Sequence, residues 1–157
     1  MTTNPMQPPC DVVSISPVLL ALTQEEVPRG QIPARIRAMF DIVYAWIREA
    51  PVRQAGHNYA LYDRCTPHSL RVQVGFPVSA RFADTERVKC VELAAGRAAH
   101  AVHVGPWAEL HRTYAALDAW CSERALALTG ESWEVYGDWC EDPSRLETEL
   151  FQRIRGA

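Results

Sequence analysis

The amino-acid sequence contains an internal repeat, which restricts the folds that the chain can adopt. Trp46 in "FDIVYAWIREA" matches Trp120 in "YAALDAWCSERA", an offset of 74 residues (120 − 46 = 74). The same offset aligns Tyr62 in "HNYALYDR" with Tyr136 in "ESWEVYGD". Continued without a gap, it aligns three further pairs: Arg71 with Arg145, Val72 with Leu146 and Phe76 with Leu150. Self-similarity at one fixed offset indicates a repeated structural unit, so the sequence predicts a tandem duplication.

Each copy has the predicted order strand, helix, strand, strand. In the first copy, "DVVSISPVLLALTQEEV" is extended, "IPARIRAMFDIVYAWIREA" has apolar residues at helical spacing, and "HNYALYDR" and "LRVQVGFPV" are strands. In the second copy, "VKCVELAAGRAAHAVHVG" is predicted as paired strands, "PWAELHRTYAALDAWCSERALAL" as a helix, and "SWEVYGDW" and "RLETELFQRI" as strands. The predicted class is therefore α+β. The two units form one antiparallel sheet, with both helices on one face and a ligand groove on the other.

The two helices carry equivalent apolar stripes. The matched positions are Ile36, Phe40, Val43 and Ile47 in the first copy, and Leu110, Tyr114, Leu117 and Cys121 in the second. Because apolar residues at this spacing lie on one side of a helix, each stripe is expected to pack on its own part of the sheet.

The length of 157 residues fits one domain. We predict a disordered leader over residues 1–10 and a single domain over residues 11–157, made of two pseudo-symmetric halves at about 11–80 and 88–154. The leader lacks the basic and apolar regions of a signal peptide, and no apolar run approaches the ~20 residues that a membrane span needs. The five cysteines are widely spaced without a CxxC pair, which favours reduced thiols. The expected location is the cytoplasm, away from membranes.

Charge and motifs exclude several classes of function. The net charge of −3 and the pI near 5.9 give no electrostatic footprint for nucleic acid, so direct nucleic-acid binding is not expected. His100 and His103 in "HAVH" point to opposite faces of a predicted strand, so a shared metal ion is not expected. The sequence has no Gly-rich phosphate loop and no Ser nucleophile motif. We therefore expect neither a metal nor a cofactor.

The stretch "WEVYGDW" places a carboxylate, Glu134, inside a predicted strand. Strand alternation puts Glu134 and Tyr136 on one face and the apolar Trp133 and Val135 on the other. We expect the apolar pair to pack on the helix, which leaves Glu134 and Tyr136 on the groove face with Tyr62 of the first copy. A carboxylate beside tyrosines could receive a cationic or polarised ligand. The alternative is a solvated strand residue beside tyrosines that only cover the sheet, and periodicity leaves both open.

Several segments together resemble a known family. They are "HVGPWAEL" followed by a helix, "WEVYGD", "EDPSRLETEL", and earlier "ALYDR" with "VQVGFPV". In order and spacing, they are similar to the GyrI-like small-molecule-binding domain, the effector-binding half of many AraC-type and MerR-type multidrug-responsive regulators. The resemblance covers about residues 11–154. It implies the duplicated strand, helix, strand, strand fold and a groove lined by aromatic residues around a buried Glu in a motif like "WEVY". Glu134 and Tyr136 match that motif directly.

The sequence departs from the family pattern at two points. The regulators carry a helix-turn-helix domain ahead of the binding domain, whereas this sequence has a short leader, which indicates a standalone form. Trp107 in "GPW" stands where the family more often has Tyr or Phe, which indicates a wider aromatic wall. The resemblance thus implies a binding protein for planar aromatic, hydrophobic or cationic small molecules, including drugs, and a place in antibiotic resistance. The expected ligand contacts are Glu134, Tyr136, Tyr62, Trp107 and Trp139.

An enzymatic alternative comes from the same resemblance. Some standalone members are similar to hydrolases that open the strained cyclopropane ring of DNA-alkylating natural products. Glu134 would then act as a general acid or orient a water molecule, since surrounding aromatic rings disfavour its ionised form. Tyr136 would donate a hydrogen bond to a carbonyl oxygen as charge develops there. A further alternative, implied by the family name, is a protein-inhibitor module with a protein partner that the sequence does not identify. The residues leave binding and turnover open.

Overall fold

A computed structural model of the chain describes residues 9–156, and these residues fall into two compact units. Ser16–Ala95 form what we term the N-terminal unit. Residues 9–15 and 96–156 form what we term the C-terminal unit. Cys10, the last residue of the predicted leader, is the first residue of a strand, whereas residues 1–8 of that leader lie outside the described residues.

The described elements alternate strands with two long helices. In chain order they are β1 (Cys10–Ile15), β2 (Val18–Pro28), α1 (Ile32–Ile47), β3 (Tyr59–Asp63), β4 (Ser69–Pro77), β5 (Lys89–Leu93), β6 (Gly96–Val104), α2 (Leu110–Glu123), β7 (Leu128–Tyr136) and β8 (Glu147–Ile154). Short 3₁₀ turns precede α1, α2 and β8. The predicted α+β class is confirmed, with one helix and four antiparallel strands in each unit.

The N-terminal unit has the strand order β3, β4, β2, β5. Helix α1 begins with Pro33 in its first turn, where the missing N–H removes no helical hydrogen bond. Its residues Met39 and Val43 are buried. Val43 packs with Ala21 and Phe76 in the core of this unit. The apolar stripe read from the sequence therefore faces the sheet, as expected.

The C-terminal unit has the order β1, β6, β8, β7. Helix α2 buries Thr113, Leu117 and Cys121, and the last two pack with Ala101 and Leu150 of the sheet. Within residues 9–156, neither helix has the length and apolar character needed to cross a bilayer.

The predicted pairing of the two strands in "VKCVELAAGRAAHAVHVG" is wrong. Strand β5 pairs with β2, while β6 pairs with β1 and β8. A break at Ser16 and Pro17 separates β1 from β2, because proline has no N–H to donate to a ladder. As a result, residues 11–15 belong to the C-terminal unit and residues 88–95 to the N-terminal unit, which differs from the halves drawn from sequence.

The repeat keeps its offset of 74 residues through the helix but not through the last strand. Buried Met39 and Val43 of α1 correspond to buried Thr113 and Leu117 of α2 at that offset. In the ladders, however, Tyr62 lies opposite Val72 and Tyr136 opposite Thr148, an offset of 76 for the last strand (148 − 72 = 76). The ungapped alignment of Val72 with Leu146 is therefore wrong. The connection from β7 to β8 contains the extra 3₁₀ turn Pro143–Arg145, which accommodates the added length.

The faces of the strands are the reverse of those predicted. Tyr114 of α2 donates a hydrogen bond to Glu134, so Glu134 and Tyr136 lie on the helix-facing side of β7. Trp133 lies on the opposite side, where its ring stacks on Phe151 at a centroid distance of 5.2 Å. The expected groove face away from the helix is thus wrong for Glu134 and Tyr136. The physical reason is that a buried carboxylate can pack under a helix when the helix supplies a hydrogen-bond donor.

Tyr62 shows the same reversal in the N-terminal unit. It lies opposite Val72 in the ladder, and Val72 is on the same face of β4 as Phe76. Phe76 packs with Val43 of α1. Tyr62 therefore lies on the helix-facing side of its own unit, as Tyr136 does in the other.

Candidate functional site

A buried carboxylate held by two phenols forms the centre of the candidate site in the C-terminal unit. Glu134 of β7 is 4% exposed. The hydroxyl of Tyr114 donates to Glu134 Oε2 at 2.6 Å, and the hydroxyl of Tyr136 donates to Glu134 Oε1 at 2.6 Å. Both lengths lie within the normal range for O–H···O hydrogen bonds. Each carboxylate oxygen thus has its own phenol donor, which fixes the position of the group.

The two phenols reach Glu134 from different elements. Tyr136 follows two residues later in β7 and therefore projects from the same face of the strand. Tyr114 lies on the buried stripe of α2, where it packs against the core of the C-terminal unit. The carboxylate is thus clamped between the strand and the helix above it.

The sequence pattern predicts that Tyr114 belongs to the apolar stripe of α2 and does not mark it as a site residue. The signal was present in the repeat, because the equivalent residue of α1 is Phe40 and the two differ only by the hydroxyl. A tyrosine on a buried stripe needs a hydrogen-bond partner. In the matching strand of the first copy, Ala60 stands where Glu134 stands in the second. The hydroxyl of Tyr114 and the carboxylate of Glu134 therefore occur together in one copy.

Trp107 extends the cluster toward solvent. Its ring lies 5.9 Å from the ring of Tyr136 in an edge-on arrangement of 69°, and the residue is 49% exposed. It begins the short 3₁₀ turn Trp107–Glu109 that leads into α2. The site thus presents a buried carboxyl group, a half-buried phenol ring and a half-exposed indole in succession.

His103 holds the turn that carries Trp107. The ring is buried, with Nδ1 2.6 Å from the hydroxyl of Thr113 and Nε2 2.9 Å from the carbonyl oxygen of Pro106. Because a carbonyl only accepts, Nε2 carries a hydrogen and donates it to Pro106, while Nδ1 and the hydroxyl of Thr113 share the second hydrogen bond. This bridge ties β6 and α2 to the residue immediately before Trp107.

His100 has a different environment from His103. Its Nδ1 lies 2.8 Å from Oδ1 of Asp11 and its Nε2 lies 2.9 Å from Oε1 of Glu149. Both ring nitrogens are thus engaged by carboxylates. Across residues 9–156, no group of three or more His, Cys, Asp or Glu side chains is arranged to hold a metal ion.

Within the C-terminal unit, the structure brings three of the five expected ligand contacts together. Glu134, Tyr136 and Trp107 form one contiguous cluster. Tyr62 is a half-buried residue of β3 in the N-terminal unit. Trp139 lies in the loop after β7 and is 73% exposed.

The protein has detectable relatives at the level of family and fold. A family model described as the GyrI-like small molecule binding domain matches residues 9–155. No curated protein sequence matches.

Several solved structures have a similar fold. The chain resembles EcmrR from its cryo-EM complex with DNA, with a TM-score of 0.85 and 18% identity over 97% of this chain and 59% of that one. It thus spans about three fifths of the EcmrR chain. SAV2435 bound to tetraphenylphosphonium matches with a TM-score of 0.71 and 10% identity, covering 94% of each chain. A hydrolase encoded by lin2189 from Listeria innocua matches with a TM-score of 0.63 and 12% identity, over 97% of this chain and 94% of the other.

Proposed function

The chain belongs to the GyrI-like small molecule binding domain family, and we propose that it binds hydrophobic aromatic cations at Glu134. The observation that carries this proposal is the buried carboxylate with a phenol donor on each oxygen. Burying a charge costs free energy unless other groups compensate for the lost water. The phenols supply hydrogen bonds to both carboxylate oxygens. A bound cation would add a charge–charge attraction to the same group.

The strength of this attraction follows from the burial of Glu134. Two opposite unit charges 4 Å apart attract by about 4 kcal/mol at an effective dielectric constant of 20, compared with about 1 kcal/mol in bulk water. Because Glu134 is 4% exposed, its attraction for a cation should be closer to the value at a dielectric constant of 20 than to the value in bulk water. A cation that also brings apolar surface would lose little hydration on entering.

The aromatic side chains beside Glu134 favour the same class of ligand. A cation over a tyrosine or tryptophan ring gains about 0.5 to 2 kcal/mol. Tyr136 and Trp107 provide two such rings in contact with each other, and Trp107 is accessible from solvent. We expect several unrelated aromatic cations to bind, because stacking and charge do not require one particular shape. Multidrug binding and antibiotic resistance are the biological roles that this chemistry would serve.

Tetraphenylphosphonium is a suitable first probe, since the structure of SAV2435 contains it and that protein shares this fold. We would measure its binding by isothermal titration calorimetry and compare it with the neutral triphenylphosphine oxide. Glu134→Gln keeps the side-chain volume and removes the charge. It should weaken tetraphenylphosphonium binding by about tenfold or more and change binding of the neutral compound little. Glu147→Gln, the same change at an exposed position of β8, is the control.

The proposal fails if Glu134→Gln weakens both compounds equally or neither. Equal weakening would indicate a general loss of the site's shape, and no effect would separate the carboxylate from binding. Circular dichroism and the melting temperature of each variant establish that it is folded before the titrations are compared.

The role of Trp107 can be tested by fluorescence. Flat aromatic cations should quench tryptophan emission with micromolar affinity, roughly −8 kcal/mol. Trp107→Ala should weaken binding more than Trp46→Ala, because Trp46 packs against Phe82 in the core of the N-terminal unit. Equal losses from both variants, or no binding by any dye in a panel, would contradict the assignment of Trp107.

Tyr62 and Trp139 remain proposed ligand contacts. Trp139 is a highly exposed aromatic residue three positions after Tyr136, so its loop is able to supply a further stacking surface. Tyr62 occupies in β3 the place of Tyr136 in the repeat. Trp139→Ala and Tyr62→Ala should each lower affinity for the cationic dyes, and an unchanged affinity would remove the substituted residue from the site.

A second candidate function is hydrolysis of strained cyclopropane compounds, with Glu134 and Tyr136 as catalytic residues. The supporting observation is that Glu134 is fixed by two phenols, which would hold it as a proton acceptor for an attacking water molecule. The water oxygen would bond to the ring carbon, and the carbon–carbon bond would break toward a conjugated carbonyl. Tyr136 would donate a hydrogen bond to that carbonyl oxygen, which finally takes up the proton.

Turnover distinguishes this candidate from simple binding. Chromatography of a cyclopropane-bearing polycyclic compound after incubation should reveal a hydrated, ring-opened product in amounts exceeding the protein. Glu134→Gln should slow its formation by about 10² or more. Absence of product above the buffer control would exclude hydrolysis of that compound. Product that forms undiminished in Glu134→Gln would exclude the role given to Glu134.

A further inference from the structure

A buried hydroxyl group lies in the site and is not satisfied by the protein. Thr148 of β8 is fully buried at 0% exposure. Within the described part of the chain, its Oγ1 has no hydrogen-bond partner. A buried hydroxyl without a partner destabilises the folded state, so such a group in a native protein requires an explanation.

The ladder places Thr148 beside the residues of the candidate site. It lies directly opposite Tyr136 on one side and His103 on the other. Residues opposite each other in a sheet project from the same face with Cβ atoms about 5 Å apart. Since His103 bonds to Thr113 of α2, this face is the one that carries Glu134. The hydroxyl of Thr148 is therefore part of the same helix-facing surface.

The neighbouring polar groups bond to other partners. Both ring nitrogens of His103 are used, one by Thr113 and one by the carbonyl of Pro106. The hydroxyl of Tyr136 donates to Glu134. Neither neighbour thus completes the hydrogen bonding of Thr148, although both adjoin it.

The repeat shows that this position does not need a hydroxyl for packing. Val72 lies opposite Tyr62 in the N-terminal unit, which is the place of Thr148 opposite Tyr136. Valine and threonine have nearly the same shape, and Val72 is also fully buried. Thr148 therefore differs from Val72 mainly by its unsatisfied hydroxyl. The residue with this hydroxyl lies in the unit that also contains Glu134.

We propose that Thr148 is a specificity-determining residue whose hydroxyl forms a hydrogen bond with a polar atom of the bound ligand. The site then selects aromatic cations that carry a hydroxyl or amide group over cations that are purely apolar. This inference rests on the proposed function, since it assumes that the ligand enters beside Glu134. Because Thr148 is fully buried, this bond requires neighbouring side chains to move when the ligand binds.

The test uses two probes of equal charge, tetraphenylphosphonium and (4-hydroxymethylphenyl)triphenylphosphonium, which differ by one hydroxymethyl group. Wild-type protein should bind the hydroxymethyl probe about 3- to 10-fold more tightly, the range for one net hydrogen bond. Thr148→Val should remove this preference and leave tetraphenylphosphonium binding unchanged. Thr148→Ser keeps the hydroxyl and should keep the preference, which separates the hydroxyl from the methyl group.

The other outcomes overturn the inference in distinguishable ways. If Thr148→Val retains the preference, or weakens both probes equally, Thr148 does not act through its hydroxyl, while the proposed binding at Glu134 stands. If wild-type protein binds both probes equally, the selectivity does not exist. If wild-type protein binds neither probe, the proposed function fails and this inference fails with it.

Discussion

Replacing Tyr114 with phenylalanine should destabilise the protein through Glu134. The substitution removes one hydroxyl and leaves the ring, and the repeat already carries phenylalanine at the equivalent position, Phe40. Steric change is therefore small. What is lost is the donor to Glu134 Oε2, one of the two phenol bonds to a carboxylate that is 4% exposed.

The size of the effect follows from the charge on the acceptor. Hydrogen bonds to charged groups contribute about 1.5 to 3 kcal/mol, compared with about 0.5 to 1.5 kcal/mol for neutral pairs. For a chain of 157 residues, about 2 to 4 °C of melting temperature corresponds to 1 kcal/mol. Tyr114→Phe should thus lower the melting temperature by about 3 to 12 °C. In a Glu134→Gln background the acceptor is neutral, and the same substitution should cost roughly half as much free energy.

Urea unfolding followed by tryptophan fluorescence measures these free energies. Tyr44→Phe is the matched control, because the Tyr44 hydroxyl bonds to the neutral side chain of Asn58 in an exposed setting. A free-energy cost of Tyr114→Phe no larger than that of Tyr44→Phe would contradict a bond to a charged acceptor. An equal cost with glutamate and with glutamine at position 134 would contradict it as well.

Two further predictions concern packing. Gly75→Ala should destabilise the N-terminal unit by several kcal/mol, because a Cβ atom there would lie 1.7 Å from the carbonyl oxygen of Ala21. Gly30→Ala is the control and should be tolerated, since its Cβ atom would meet no atom within 4 Å. Equal melting temperatures of the two variants would contradict this prediction. Burial raises the pKa of the Cys121 thiol, so a thiol reagent at pH 8 should label exposed Cys65 first and Cys121 much more slowly, as mass spectrometry of digested protein would show.

The sequence predicted the features of this fold that depend on periodicity. Apolar spacing located both helices, and the equivalence of Val43 and Leu117 held because both must pack on a sheet. Periodicity did not predict which strands pair with each other. The pairing of β5 with β2 depends on long-range contacts between segments that have ordinary strand patterns, and the pattern alone does not choose the partner.

The sequence predicted Glu134 and Tyr136 as site residues but did not predict Tyr114 and Thr148. Glu134 and Tyr136 stood out because a strand motif contained a carboxylate. Tyr114 and Thr148 did not, because each occupies a position where an apolar residue would also fit. The reversed faces have the same cause. Burial was assigned by apolar character alone, whereas Glu134 is buried because α2 supplies a donor to it.

The repeat allows the contact between Tyr114 and Glu134 to be rebuilt by substitution at the equivalent positions of the N-terminal unit. Ala60→Glu places a carboxylate at the fully buried position equivalent to Glu134, beside Tyr62, and should be strongly destabilising because of buried charge and added volume. Adding Phe40→Tyr supplies the donor that Tyr114 supplies in the C-terminal unit.

The double variant should regain about 1.5 to 3 kcal/mol relative to Ala60→Glu, or recover a cooperative unfolding transition if the single variant has none. Phe40→Tyr alone should not stabilise the protein, since its new hydroxyl then lacks the carboxylate. If Phe40→Tyr has the same effect in both backgrounds, the two residues do not meet as their counterparts do. The duplication would then describe the backbone of the two units without describing the geometry that places a phenol on the carboxylate.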